Sequence, residues 1–216
     1  MTDLERECVD LISQIRQNPQ DFVARFEERK SWFEGKTMRR PGAIGLITNE
    51  GAPAVQEAID FLKAQPPLNP VAYGEEMQGI ATDHATYLGS TGTLSHQGAD
   101  GSSSGDRIKS VVDCNLRAEN IYCGPDYGTA EEIVFSLVID DGVPERGHRG
   151  NIFLPDVSHV ACGTASHAIG QVAVFDFCCK TGEGGGSGTG GPSAPKTRKV
   201  VKPSGGMAPV KEVTKT

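Results

Sequence analysis

The chain has 216 residues, 37% of them apolar, with 27 Gly, 13 Pro and a formal net charge of −7. That length fits one domain with extensions and is enough to bury a sizeable core. Residues 180–216 carry seven basic side chains against Glu183 and Glu212, which leaves the preceding residues at −12. An acidic body argues against general nucleic-acid binding, and a basic tail suits an acidic partner.

The N-terminus, Met1-Thr2-Asp3-Leu4-Glu5-Arg6-Glu7, lacks the basic region and the run of about 7–15 apolar residues of a secretory signal. No run approaches the about 20 apolar residues of a membrane span, so the expected location is intracellular. Six cysteines are present, Cys8, Cys114, Cys123, Cys162, Cys178 and Cys179, with no CxxC pair. They are expected to be reduced, small, buried or half-buried residues rather than a disulfide frame or a zinc knot.

Leu4, Cys8, Leu11, Ile12, Ile15, Phe22, Val23 and Phe26 fall at helical spacing, broken at Asn18-Pro19. Two helices are predicted, over 3–17 and 19–31, with Pro19 in the first turn of the second. Residues 33–50 show no period and read as loop, with a short strand near Ile44–Ile47. Residues 52–64 are predicted helical and end at Gln65-Pro66-Pro67. A longer helix is predicted over 74–90, its end bracketed by Gly89 and Gly92. A Gly-rich loop at 97–105 leads into a short helix ending near Val112.

Leu116–Cys123 has strand character. Thr129–Asp140 reads as a helix capped by Thr129, with Glu131 and Glu132 in its first turn. His159–Thr164 and Gln171–Cys178 are β-rich runs joined by Ser166–Gly170, as in an antiparallel hairpin. Helices first and strands last indicate α+β. Residues 1–179 form the expected domain, and 180–216 a Gly/Ser/Pro/Lys-rich extended or disordered tail.

Three ordered motifs stand out. The first is Leu94-Ser95-His96 with Gly98-Ala99-Asp100-Gly101-Ser102-Ser103 and Asp106-Arg107-Ile108. The second is Ala118-Glu119-Asn120-Ile121. The third is Asp140-Asp141-Gly142-Val143 with Arg146-Gly147-His148-Arg149-Gly150-Asn151-Ile152-Phe153. Together they resemble the CAP superfamily (cysteine-rich secretory proteins, antigen 5 and pathogenesis-related 1; also SCP-like), in the variant common in bacterial and protist members. The resemblance spans roughly residues 5–178. It implies an α-β-α sandwich with a central, mostly antiparallel sheet. It also implies a cleft holding two His and two acids: His96, Glu119, Asp140 and His148, with Asp141 the alternative to Asp140.

Two imidazoles with two carboxylates can hold a divalent metal such as zinc, with His96 and His148 the candidate metal ligands. They can equally tie loops to the sheet by ion pairs. No nucleophile stands out, because Ser102, Ser103 and Ser104 lie in a Gly-rich loop rather than at a strand-to-helix elbow. His84 reads as a packing residue. Arg107, Arg146 and Arg149 read as loop braces.

The favoured function is therefore a non-enzymatic intracellular binding or scaffold protein. Its tail, through Lys196, Arg198, Lys199 and Lys202, would dock on an acidic protein partner. Tubulin is one such surface, which makes a ciliary or flagellar microtubule assembly a candidate setting. The alternatives are a metal-dependent hydrolase using the tetrad, and a lipid- or sterol-binding protein.

Overall fold

The structure, a computed structural model, describes residues 1–180. The tail residues Lys196, Arg198, Lys199 and Lys202 lie outside the described residues.

Helix α1 (Asp3–Gln17) starts at a capping box, in which Thr2 and Glu5 satisfy each other's backbone N–H groups. A 3-10 turn at Pro19–Phe22 follows, so α2 covers only Val23–Ser31. The short strand expected near Ile44–Ile47 is β3 (Leu46–Ile47), and the rest of the stretch read as loop adds β1 (Phe33–Glu34) and β2 (Thr37–Met38) to make a small antiparallel sheet. Strands of two residues are too short to show a period, which is why the pattern is silent there.

Helix α3 (Ala52–Ala64) and strand β4 (Ala72–Tyr73) precede α4 (Gln78–Thr91). Helix α4 begins four residues later than expected, behind a 3-10 turn at Glu75–Met77. Gly92, at φ 67°, is its left-handed cap, whereas Gly89 lies inside the helix. A Cβ on Gly89 would stand 2.3 Å from the Ser166 carbonyl oxygen, so this glycine serves close packing rather than helix termination. Then come α5 (Ser104–Val111), β5 (Cys114–Gly124), α6 (Ala130–Ile139), α7 (Gly147–Ile152), β6 (His159–His167) and β7 (Gly170–Lys180). The short α7 and the two-residue β4 were not anticipated.

The main sheet has the order β4-β6-β7-β5. The β4–β6 pair is parallel and the other two are antiparallel. One face presents Tyr122, Val160, Cys162, Ala173, Phe175 and Phe177 to α1, α3 and α6, with Phe26 stacked on Phe135 at 4.3 Å. The opposite face presents Ile121, Cys123, Ala161, Val172, Val174 and Cys178 to α4 and α5. This alternation is the period-two consequence of strand geometry. It makes the α-β-α sandwich.

Arg16 fastens the first helix to segments distant in sequence. It is fully buried and donates to the carbonyls of Asn69, Ile152, Leu154 and Val157 at 2.6–3.3 Å. Burial lowers its pKa to about 10, so it stays charged at neutral pH.

Gly163 of β6 marks the closest approach of α4, because a Cβ there would stand 2.4 Å from the backbone of Ala81 and Thr82. Gly163→Ala is expected to destabilise the fold by at least about 1–3 kcal/mol, the usual cost of overpacking. Gly79→Ala on the same helix meets no atom within 4 Å and should be neutral or stabilising by up to about 1 kcal/mol. Urea unfolding of both variants checks the pair.

Candidate functional site

The cleft residues gather around β5. Among the described residues this is an edge strand, paired with β7 on one side only. Glu119 points to the α4 face, where its side chain is 1% exposed. One carboxylate oxygen meets His96 Nδ1 at 2.7 Å, and the other accepts from Arg107 Nη2 at 2.5 Å. Arg107 also donates to the carbonyls of His96 and Ser102, which closes the Gly-rich loop over α5. Asp106 is occupied elsewhere, in a capping box with Ser103 at the start of α5.

The second pair sits at the end of α6. Asp140 is the C-cap of that helix at φ 59°, a left-handed conformation that Asp tolerates better than most residues. Its carboxylate meets His148 Nδ1 at 2.5 Å and accepts from the backbone N–H of His148 at 2.9 Å and of Arg149 at 3.4 Å. Asp141 points elsewhere and accepts from the backbone N–H groups of Asn49, Glu50 and Gly51. The geometry therefore gives the His partnership to Asp140, and gives Asp141 the task of pinning the β1–β3 segment.

Two asparagines join the halves across β5. Asn120 Nδ2 donates to the His148 carbonyl at 2.9 Å, and Asn151 Nδ2 donates to Asn120 Oδ1 at 2.8 Å and to the Glu119 carbonyl at 3.4 Å. Arg146 pairs with Glu50 and Glu57, and also donates to the carbonyls of Asp140 and Val143. Arg149 donates to the carbonyls of Val138 and Ile139, and its guanidinium lies 5.2 Å from the Phe61 ring centroid. His84 is buried with Nε2 2.8 Å from the Ser95 carbonyl. The structure sets the four residues named for the tetrad in two pairs, His96 with Glu119 and His148 with Asp140. It adds Arg107, Asn120 and Asn151 as their fasteners, and Asp176 behind Glu119.

The donor set fits a resident zinc ion poorly. Zinc sites take three or four protein ligands. Among the described residues no three of His, Cys, Asp and Glu form a group that could hold a metal. Both carboxylates are engaged by imidazole Nδ1 and by further donors, so the two imidazole Nε2 atoms are what the tetrad has left.

Beside Asp140 and His148 lies a cavity of about 220 Å³. The β1–β3 segment covers it through Phe33, Met38, Leu46 and Ile47, and Leu137, Ile139 and Val143 line it from below. Its far end is polar, closed by the buried Arg29–Glu132 pair, in which both guanidinium Nη atoms meet the carboxylate at 2.6 and 2.8 Å. This cavity was not legible in the sequence, because six of its 21 lining residues come from the 33–50 stretch, which has no periodicity.

Asp141→Ala removes the acceptor of three backbone N–H groups and should raise amide exchange at residues 49–51 while leaving β6 and β7 protected. Hydrogen-exchange mass spectrometry reads this. The Arg146 guanidinium, with help from the Gly142 N–H, holds the Glu50 carboxyl down at about 2. A lowered folded-state value gives stabilisation that is present above the unfolded value of about 4.3 and lost as pH falls from there. Glu50→Gln should therefore flatten the acid limb of the stability profile below about pH 4.5, as followed by unfolding at stepped pH.

A family model described as CAP, the cysteine-rich secretory protein family, matches residues 9–180. No curated protein matches the sequence. Among solved structures, an extracellular protein containing an SCP domain from Bacillus anthracis is 18% identical at a TM-score of 0.44, over 58% of this chain and 38% of that one. This chain thus spans well under half of that protein's length. Venom allergen-like protein 4 from Schistosoma mansoni is 11% identical at a TM-score of 0.43, over 82% of this chain and 89% of that one. NaASP2, solved with Zn2+, is 14% identical at a TM-score of 0.41, over 82% and 80%. With its motifs, its sandwich and a match over most of its length, the chain belongs to the CAP family.

Proposed function

We propose that this CAP-domain protein is a non-enzymatic binding module, and that its ligand is a small apolar molecule held in the cavity beside His148. The observation that carries this reading is the commitment of the cleft's polar groups. Glu119 and Asp140 each accept from an imidazole and from further donors, and no activated nucleophile accompanies them. Cys123, the cysteine lining the cavity, has its thiol pushed up to about 11 by burial, which makes it a poor nucleophile.

The cavity's size sets the ligand class. A cavity of about 150 Å³ admits benzene, so about 220 Å³ suits a short acyl segment or a single ring system and is small for a whole sterol. His148, which lines the cavity with its side chain 16% exposed, offers a hydrogen bond to a polar end through Nε2. Calorimetric titration with a short-chain alkyl alcohol should show saturable binding with a negative heat-capacity change. Leu46→Asp, which places a charge in the lid, should abolish it. Absence of saturable binding by the native protein would sink the cavity reading.

The basic tail supplies the second contact of this reading, to an acidic protein surface of which a microtubule in a cilium or flagellum is one instance. The support is the charge asymmetry between residues 180–216 and the acidic body. Co-sedimentation with polymerised tubulin should retain the full chain and lose a chain ending at residue 180. Equal retention of both rules the tail out as the contact.

A further inference from the structure

Asp176 lies in the middle of β7 with 0% of its surface exposed, and neither carboxyl oxygen has a hydrogen-bond donor among the described residues. A lone ionised carboxylate in that position would be an uncompensated buried charge, which proteins avoid by neutralising the group. Its cross-strand neighbours are Glu119 on β5 and Ala161 on β6. Directly opposed residues of an antiparallel pair hold their Cβ atoms within about 5.5 Å. The Asp176 and Glu119 carboxyls accordingly fall within hydrogen-bond reach of each other.

Two carboxylates in contact cannot both be ionised, so one proton must sit between them. The surroundings decide which group carries it. Glu119 already meets His96 Nδ1 and accepts from Arg107, and both favour its anion. Asp176 has Ala161, Val174 and Cys178 about it on the sheet and the alanine face of α4 above. The charged or titratable groups turned toward this cluster are Glu119 from β5, Arg107 from α5, and His84 from α4.

We infer that Asp176 is held as a neutral carboxylic acid whose O–H donates to Glu119, and that this bond positions the Glu119 carboxylate toward His96 and Arg107. Asp176 is thus a positioning residue of the cleft, and the inference stands whatever the cavity holds. Burial first, and then the charge of Glu119, push the Asp176 carboxyl well above the usual carboxylate range, with Arg107 opposing.

A raised folded-state value gives stability that is complete below the unfolded value of about 3.9 and declines as pH rises toward the folded one. The folding equilibrium constant then falls about tenfold per pH unit across that window. Loss of the proton sets two anions side by side behind His96.

The test follows the Asp176 Cγ resonance and the His96 ring nitrogens by NMR in the full chain across pH. The expected result is a protonated Asp176 signal at neutral pH, and His96 in the Nδ1–H tautomer. Asp176→Asn, which keeps a donor, should preserve that tautomer and remove the decline in stability as pH rises above the unfolded value of about 3.9. Asp176→Leu, which keeps the burial and removes the donor, should leave His96 as a mixture of tautomers. An ionised Asp176 signal at neutral pH overturns the inference without any variant. Loss of tenfold or more in the folding constant of Asp176→Asn at pH 8, or an unchanged His96 in Asp176→Leu, does the same.

Discussion

The outer edge of β5 is the constraint on which the rest of the structure depends. This strand of 11 residues pairs with β7 and, among the described residues, has no strand partner on its other side. An open edge of that length is a template for pairing with another chain. Here the edge is tied to α7 by amide side chains. Asn151 reaches the Glu119 carbonyl, and Asn120 reaches back to the His148 carbonyl. The two His–acid pairs hold the flanking segments in place, His96 against Glu119 on the α4 face and His148 of α7 against Asp140 at the end of α6.

Magnitudes separate what makes the fold stable from what makes it specific. The apolar layers on both faces of the sheet supply most of the stabilisation, at about 25 cal/mol per Å² of apolar surface buried. A buried ion pair such as Arg107–Glu119 contributes little net, because desolvation offsets attraction. Removing one partner, by contrast, costs about 3–5 kcal/mol. The cleft therefore does not hold the protein together by its own strength. It penalises any arrangement in which the loops leave the edge, and so sets one register for residues 94–107 and 140–151. Family membership is written in these residues because the brace demands particular donors and acceptors at particular places.

How much of this the sequence displays follows from what each part depends on. Helices α1, α3 and α6 announce themselves by apolar spacing and by caps such as Thr129. Strands β5, β6 and β7 are long enough to show their character. The motif resemblance names His96, Glu119, Asp140 and His148, which the structure sets in two His–acid pairs. The choice between Asp140 and Asp141 depends on a left-handed backbone at φ 59° that no pattern reports. Asp176 is hidden for a different reason. It reads as one acid between Phe175 and Phe177, and only the β5–β7 register sets it against Glu119. The β1–β3 lid and the cavity beneath it arise from contacts distant in sequence, made by strands too short to leave a period.

The central claim is that the two His–acid pairs act together to close the edge of β5. Native-state amide exchange on the His96→Ala/His148→Ala double variant tests it most directly. The account predicts that the β5 amides around Glu119 and Asn120 lose protection together with the loops, while β6 and the β6-facing amides of β7 keep theirs. Unchanged protection along β5, with only the two loops exchanging faster, would contradict it.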